Sequence, residues 1–315
     1  MIGKDIATAS QLLADGKVVA IPTETVYGLA ANALDIRAVS EIYSVKNRPH
    51  FNPLIVHVPS LDAAKKYVTH FPKAAEELAR HFWPGSLSIL LPKNEMIPDI
   101  ITAGSLQVVL RVPNHPLTLQ LLQSVSFPLA APSANVSNTV SPTTANHVEH
   151  GLGDRIEYIL DGGECAVGVE STIVCIQEGG VVILREGGVS QEAIIHKTGL
   201  PILPHTPATI QSPGQLKRHY ATHKPLYIVN SFDEFIRNNP QTTCSILYYE
   251  KPKDTLNVTS YFLSERYHLG EIANQLFSIL RIADADSSDC ILIQPIKPIG
   301  IGRAIQDRIQ RAATI

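Results

Sequence analysis

Apolar and polar positions in this chain switch repeatedly between a helical and a strand period. Ile6, Ala9, Leu12 and Leu13 fall on one helical face, and Gly16 stands where that helix would end, so residues 4–15 read as an amphipathic helix. The run at 17–21 reads as a strand, and Thr23 and Thr25 are placed to cap a short helix after it. Ile36, Val39, Ile42 and Tyr43 predict a helix over 35–46, capped by Asp35. Strands are expected at 54–58, 87–91, 107–112 and near Leu129, and helices at 61–68, 73–82, 116–124 and 143–150. A strand-rich stretch follows at 158–160, 172–176 and 181–184, then a helix at 191–196. Helices and strands alternate, but hairpin-like pairs interrupt them. The fold class is therefore α/β in the mixed α+β sense, an open twisted mixed β-sheet flanked by helices.

The periodicity stops between residues 200 and 224, where Pro201, Pro204, Pro207 and Pro213 mark a partly stiff linker. This linker contains Ser212-Pro213-Gly214-Gln215-Leu216-Lys217-Arg218-His219-Tyr220, too rich in chemistry for a plain spacer. Beyond it the pattern restarts as strand 226–229, helix 232–238, strand 244–249, helix 269–283, strand 290–294 and helix 302–312. That order predicts a small C-terminal Rossmann-like α/β domain. The expected division is residues 1–200, a linker or lid at 201–224, and a small domain at 225–315.

Composition narrows the class without naming it. Over 315 residues, 17% charged and 44% hydrophobic content describes a globular protein rather than a disordered one. A net charge of −3 argues against a surface devoted to coating nucleic acid, though not against a local basic patch. Cys165, Cys175, Cys244 and Cys290 show neither CxxC nor zinc spacing and read as reduced, mostly buried thiols. Residues 1–5 lack the apolar centre of a signal peptide, and no apolar run approaches the ~20 residues of a membrane span. The expectation is a soluble cytoplasmic protein with no membrane partner.

Four polar islands break the apolar first two-thirds: Pro22-Thr23-Glu24-Thr25-Val26-Tyr27-Gly28-Leu29, Lys46-Asn47-Arg48-Pro49-His50-Phe51-Asn52-Pro53-Leu54, Ala131-Pro132-Ser133-Ala134-Asn135 and Gly168-Val169-Glu170-Ser171-Thr172. Each adjoins a strand-like run, where a rigid scaffold can aim side chains at a ligand. Together they offer two cations, several hydroxyls and amides, and almost no carboxylate, the equipment of a site for anions and above all phosphate. Lys46 and Arg48 end a helix and so complement its dipole, yet Pro49, Asn52 and Pro53 fix the loop beyond them, which favours anion binding. His57, inside an apolar strand, reads first as a hydrogen-bonded core residue. Arg111, in a similar run, needs a carboxylate from the protein or from a substrate. Ser133 and Asn135 read as turn residues, Ser141 as the N-cap of the 143–150 helix, and Arg185 as a strand-end charge. Ser171 and Thr172 enter a strand. There is no Walker A sequence, GxSxG elbow or HExxH, and Gly151-Leu152-Gly153 and Gly300-Ile301-Gly302 lack the third glycine of a dinucleotide fingerprint. A bound nucleotide would occupy a non-standard site.

In this order the islands resemble the YrdC-like family, specifically the two-domain threonylcarbamoyl-adenylate synthases. The resemblance runs through 22–29, 46–57, Phe82-Trp83-Pro84-Gly85, Thr102-Ala103-Gly104, Arg111, 131–135, Ser141-Pro142-Thr143-Thr144, Leu160-Asp161-Gly162-Gly163 and 168–172. The linker motif and the terminal Gly302-Arg303-Ala304-Ile305-Gln306-Asp307-Arg308 resemble the longer form of the family. The resemblance implies that L-threonine, bicarbonate and ATP, with Mg²⁺ arriving on the nucleotide, give threonylcarbamoyl-AMP and pyrophosphate for the threonylcarbamoyladenosine (t6A) modification of tRNA. It implies threonine binding by Thr25, His57, Arg111, Ala131 and Ser171. It implies ATP binding by Lys46, Arg48, Asn52, Gln107, Ser133, Asn135, Ser141 and Arg185, with Tyr220 closing over the nucleotide. Arg111 would pair with the amino-acid carboxylate, and His57 is a candidate to deprotonate the amine. The partner implied is the downstream tRNA threonylcarbamoyl transferase machinery; direct tRNA contact is not required. Three positions depart from the family pattern: Ser86 in place of proline, Glu186 beside Arg185, and Ala221 without a following proline. One rival is a non-enzymatic RNA-binding factor, which the net charge disfavours. A carbamoyl-transferring maturation enzyme is the other, and its zinc-binding cysteine pairs are lacking.

Overall fold

Asp5 accepts hydrogen bonds from the backbone N–H groups of Ala7 and Thr8 and starts the helix Ile6–Ala14. Asp35 does the same through Arg37 and Ala38 for the helix Ile36–Lys46. The structure is a computed structural model that describes residues 1–205, 219–253 and 256–313. The linker residues 212–218 of the sequence motif lie outside that range. In chain order the strands of the larger unit are β1 Ile2–Gly3, β2 Val19–Ile21, β3 Gly28–Asn32, β4 Ile55–His57, β5 Leu87–Pro92, β6 Gln107–Arg111, β7 Leu129–Ala130, β8 Tyr158–Leu160, β9 Thr172–Gln177, β10 Gly180–Arg185 and β11 Ile202–Leu203. They form one sheet in the order β1-β8-β2-β3-β7-β4-β6-β5-β9-β10-β11. Pairing is mixed: β4 and β6 run parallel, β5 and β6 antiparallel, and β9 and β10 form a hairpin.

Side chains alternate across this sheet. Val56, Ile89, Leu110 and Val174 face the main core, which the helices Ile36–Lys46 and Lys73–Phe82 cover. Ile55, His57 and Arg111 point to the opposite face, where the helices Ile6–Ala14 and Pro116–Ser124 cover one flank. Two expectations need correcting. No helix follows Thr23 and Thr25; the Thr23 hydroxyl accepts from the Thr25 and Val26 N–H groups, and the chain runs into β3, held by pairing with β2 and β7. Ser141 is not an N-cap; Thr144 caps the helix Ala145–Leu152 by accepting from the His147 N–H.

The smaller unit has β12 Leu226–Ile228, β13 Cys244–Tyr248, β14 Thr259–Phe262 and β15 Cys290–Ile293, all parallel, in the order β12-β15-β13-β14. Its helices Leu269–Ala285 and Gly302–Ala312 dock on the larger unit. Asn274 Nδ2 donates to the Cys165 carbonyl at 2.6 Å, the Thr143 and Ser278 hydroxyls lie 3.0 Å apart, and Arg303 pairs with Glu192 at 2.7 Å. Gly168, at φ +78°, passes so close to Asn274 that a β-carbon would strike its backbone. Val26, Val140 and Val169 of the larger unit share one apolar cluster with Tyr220, Phe277 and Leu276. All four cysteines are free and buried. Among the described residues no helix is long and apolar enough to cross a membrane.

Candidate active site

One cavity of about 580 Å³, including the part open to solvent, lies on the sheet face that carries His57 and Arg111. Its walls include Thr25, Arg48, His57, Arg111, Ala131, Ser133, Ser171, Arg185 and Tyr220, nine of the fourteen residues singled out from the sequence. Register explains part of the convergence. His57 and Arg111 are paired neighbours on parallel strands, and the Ala131 N–H donates to the Ile55 carbonyl beside them. Ser171 enters β9 next to the start of β5, and Arg185 ends β10 opposite Ile173.

Other singled-out residues stand behind the walls. Lys46 Nζ donates at 2.5 Å to the carbonyls of Ser133 and Asn135, so it shapes the 133–135 loop from beneath. Asn135 Nδ2 donates to the carbonyls of Val136 and Thr139. Ser141 Oγ donates to Glu170 Oε1 at 2.6 Å. Asn52 contributes its backbone carbonyl, which accepts from Arg48 Nε at 3.2 Å, while Arg48 Nη2 donates to the Pro53 carbonyl. Gln107 does not line the cavity. It starts β6, opposite Pro92, four residues before Arg111, or roughly 13 Å at strand rise.

The end of the cavity that holds Arg111 is rich in hydroxyls. Arg111 Nη2 donates to Glu24 Oε1 at 2.6 Å and to Thr25 Oγ1 at 3.0 Å, and its Nε donates to the Gly85 carbonyl. The expected pairing of Arg111 with a substrate carboxylate therefore meets a protein carboxylate already in place. The Ser88 and Ser171 hydroxyls lie 2.8 Å apart, and Arg185 donates to the Ser171 carbonyl at 2.9 Å. Burial pushes the His57 imidazole down to about 3, helped by Arg111, so it is neutral, and its buried Nδ1 has no hydrogen-bond partner among the described residues.

The other end is cationic. Burial lowers Arg48 and Arg185 to about 10 each, and Arg185 further disfavours the Arg48 charge. Burial, then Arg48, holds Lys46 well below its ordinary value. Among the described residues neither Lys46 nor Arg48 forms an ion pair with a carboxylate. A buried charge left without a counterion is costly, so this end is built for an anion. Glu170, on the cavity wall, is occupied by Ser141 and Arg308, and Glu24, behind Arg111, is occupied by that guanidinium. That donor set fits a metal ion arriving already coordinated by phosphate oxygens, not one held by the protein.

Glu24, Glu170 and Arg308 are the residues that sequence reasoning missed. Glu24 and Glu170 sit inside two of the islands, so the description of those islands as nearly free of carboxylate is corrected. Their buried neighbours are arginines distant in sequence, which local pattern does not reveal. Arg308 lies in the terminal motif, but its helix periodicity gives no sign of where it points.

This arrangement, a mixed sheet with a cationic cavity closed by a small α/β unit, defines a nucleotide- or anion-handling YrdC-type protein. The chain belongs to the Sua5–YciO–YrdC family: the family model described as telomere recombination matches residues 11–187. A second model, described as threonylcarbamoyl-AMP synthase, C-terminal domain, matches residues 184–314. The threonylcarbamoyl-AMP synthase of Pyrococcus abyssi is 39% identical over 318 residues, covering 98% of this chain and 94% of that protein. The protein of the same name from Bacillus subtilis is 39% identical over 324 residues, covering 98% and 92%. The crystal structure of P. abyssi Sua5 complexed with L-threonine superposes with a TM-score of 0.89 at 35% identity, covering 100% of this chain and 99% of that one.

Proposed function

We propose that this chain makes threonylcarbamoyl-AMP, the activated donor for t6A formation on tRNA, from L-threonine, bicarbonate and ATP. The observation that carries this reading is a pair of buried cations, Lys46 and Arg48, with no carboxylate partner among the described residues. Arg48 stands in the wall of the cavity that Thr25, His57, Arg111 and Ser171 also line, and Lys46 lies behind that wall, beneath the 133–135 loop. The threonine amine takes up bicarbonate with loss of water to give a carbamate. A carbamate oxygen then forms a bond to the α-phosphorus while the bond to pyrophosphate breaks, so the product carries AMP and pyrophosphate leaves. Such a displacement asks the protein mainly to position and to neutralise. Arg48 and Arg185 take the triphosphate, and Lys46 holds the 133–135 loop that presents Ser133 to it. Mg²⁺ enters as part of the nucleotide substrate. Thr25, Ala131, Ser171 and Arg111 frame the threonine, with Arg111 oriented by Glu24. Neutral His57 lines the same end of the cavity. Residues 1–200 carry this chemistry, Tyr220 closes over the nucleotide, and the small unit that begins at 225 supports the site from behind. The cytoplasmic threonylcarbamoyl transferase machinery would take the product.

Pyrophosphate release from ATP tests the reading. Release that needs both bicarbonate and threonine, and that falls with serine in place of threonine, supports it. Release indifferent to the amino acid would overturn it.

A further inference from the structure

Arg308, on the helix Gly302–Ala312 of the small unit, has no exposed surface. Its Nε donates to Glu170 Oε2 at 2.8 Å, and its Nη2 donates to the Glu186 carbonyl at 2.9 Å. Its Nη1 meets the neighbouring Asp307 carboxylate, and its guanidinium carbon stands 5.1 Å from the centre of the Tyr220 ring. Glu170 and Tyr220 are both cavity walls, and Glu186 directly follows Arg185. One fork from the far end of the chain thus ties together three segments of the site.

The electrostatics give that fork a consequence. Burial alone would raise the Glu170 carboxyl, but Arg308 first and Arg185 second hold it down to about 2. Arg185 is thus the next guanidinium acting on the same carboxylate. With Arg308 in place, Glu170 spends one oxygen on Arg308 and the other on Ser141, and is kept from turning to Arg185. Without it, the buried carboxylate must find another cation, and the nearest source is the phosphate end of the cavity. A planar, five-donor guanidinium suits this task better than an ammonium, because it reaches a carboxylate and a carbonyl at once.

We propose that Arg308 is a positioning residue for nucleotide binding: it sequesters Glu170 and braces Tyr220, so the small unit sets the charge of the ATP end of the cavity. The proposal rests on the synthase reading for the identity of the anion. Its test is direct titration of ATP into the full chain, which does not depend on turnover. Wild type that binds ATP but releases no threonine-dependent pyrophosphate would sink the synthase reading alone. Arg308→Met is expected to weaken ATP binding about tenfold or more while threonine binding stays within about twofold. Adding Glu170→Gln to that variant removes the stray carboxylate and is expected to restore most of the lost ATP affinity, an effect that mere destabilisation would not give. Arg308→Lys, which keeps a charge for Glu170 but not the fork, is expected to fall between, and it decides the question should Arg308→Met not fold. Unchanged ATP affinity in either single variant, or no recovery on adding Glu170→Gln, would overturn the proposal.

Discussion

Arg111 Nη2 and Glu24 Oε1 meet at 2.6 Å across 87 residues of sequence, both side chains almost wholly excluded from water. Glu24 is itself fixed, accepting from the Ser86 hydroxyl at 3.0 Å and the Asn114 N–H at 2.9 Å. Burial pushes its carboxyl up, but Arg111 overrides that and holds it below the ordinary range. The pair therefore gives the cavity an oriented guanidinium with its charge partly balanced. Threonine in this site would then be recognised by geometry and hydroxyl contacts as much as by net charge.

Removing Glu24 should be more damaging than removing a surface carboxylate. Glu24→Ala leaves Arg111 charged, buried and unpaired, which costs about 3–5 kcal/mol. Urea unfolding should register that loss, and threonine KM should rise with it. A stability within about 0.5 kcal/mol of wild type would contradict the pairing as described.

Arg48 and Lys46 should fail in different ways. Arg48→Ala should keep a cooperative unfolding transition yet lower kcat/KM for ATP by roughly 10²–10³, the usual cost of losing a charged group aimed at developing charge. Lys46→Ala deprives the Ser133 and Asn135 carbonyls of their donor and should also cost about 1–3 kcal/mol of stability. Pyrophosphate release and chemical denaturation, measured side by side on both variants, separate the two.

His57 should stay neutral throughout the working range. The native imidazole resists protonation down to about 3, whereas the unfolded chain accepts a proton near 6.5. The stability tied to this group is therefore complete above pH 6.5 and lost as the pH falls from there toward 3. The pH profile of kcat/KM for threonine should show no inflection from His57 between about pH 5 and 8. An inflection near 6.5 that His57→Gln abolishes would refute this.

Glu170 should dominate the acid sensitivity of the junction between the two units. Its carboxyl is held at about 2 against an ordinary 4.5, so its stabilising contribution is complete above pH 4.5 and lost as the pH falls toward 2. The contribution at stake is about 3 kcal/mol. Wild type should lose stability steeply over that window in guanidinium titrations, and Glu170→Gln should show a flatter dependence. Parallel curves would place the acid sensitivity elsewhere.

Much of the fold is legible in the sequence alone. The cap Asp35, the helices at 73–82, 116–124, 232–238 and 302–312 and the mixed sheet are legible there, because neighbours in sequence decide them. β14 escapes that reading: two of its four positions are exposed and none is fully buried, and its pairing with β13 decides it. The turn at 23–27 deceives because capping chemistry suits a helix start and a turn equally, and only the pairing of β3 between β2 and β7 chooses between them.

By itself the sequence determined which residue types could handle an anion, and it grouped them into islands, because strand ends and turns need polar, conformationally special residues wherever they fold. Tertiary structure alone decided which of them face the cavity. Lys46 turned beneath a loop and Gln107 went to the far end of its strand, since both outcomes depend on register and on what packs alongside. The ion pairs that set the cavity's charge, Glu24 with Arg111 and Glu170 with Arg308, join positions 87 and 138 residues apart. Local propensity carries no record of such pairs; burial selects them, because a charge withdrawn from water persists only beside its opposite.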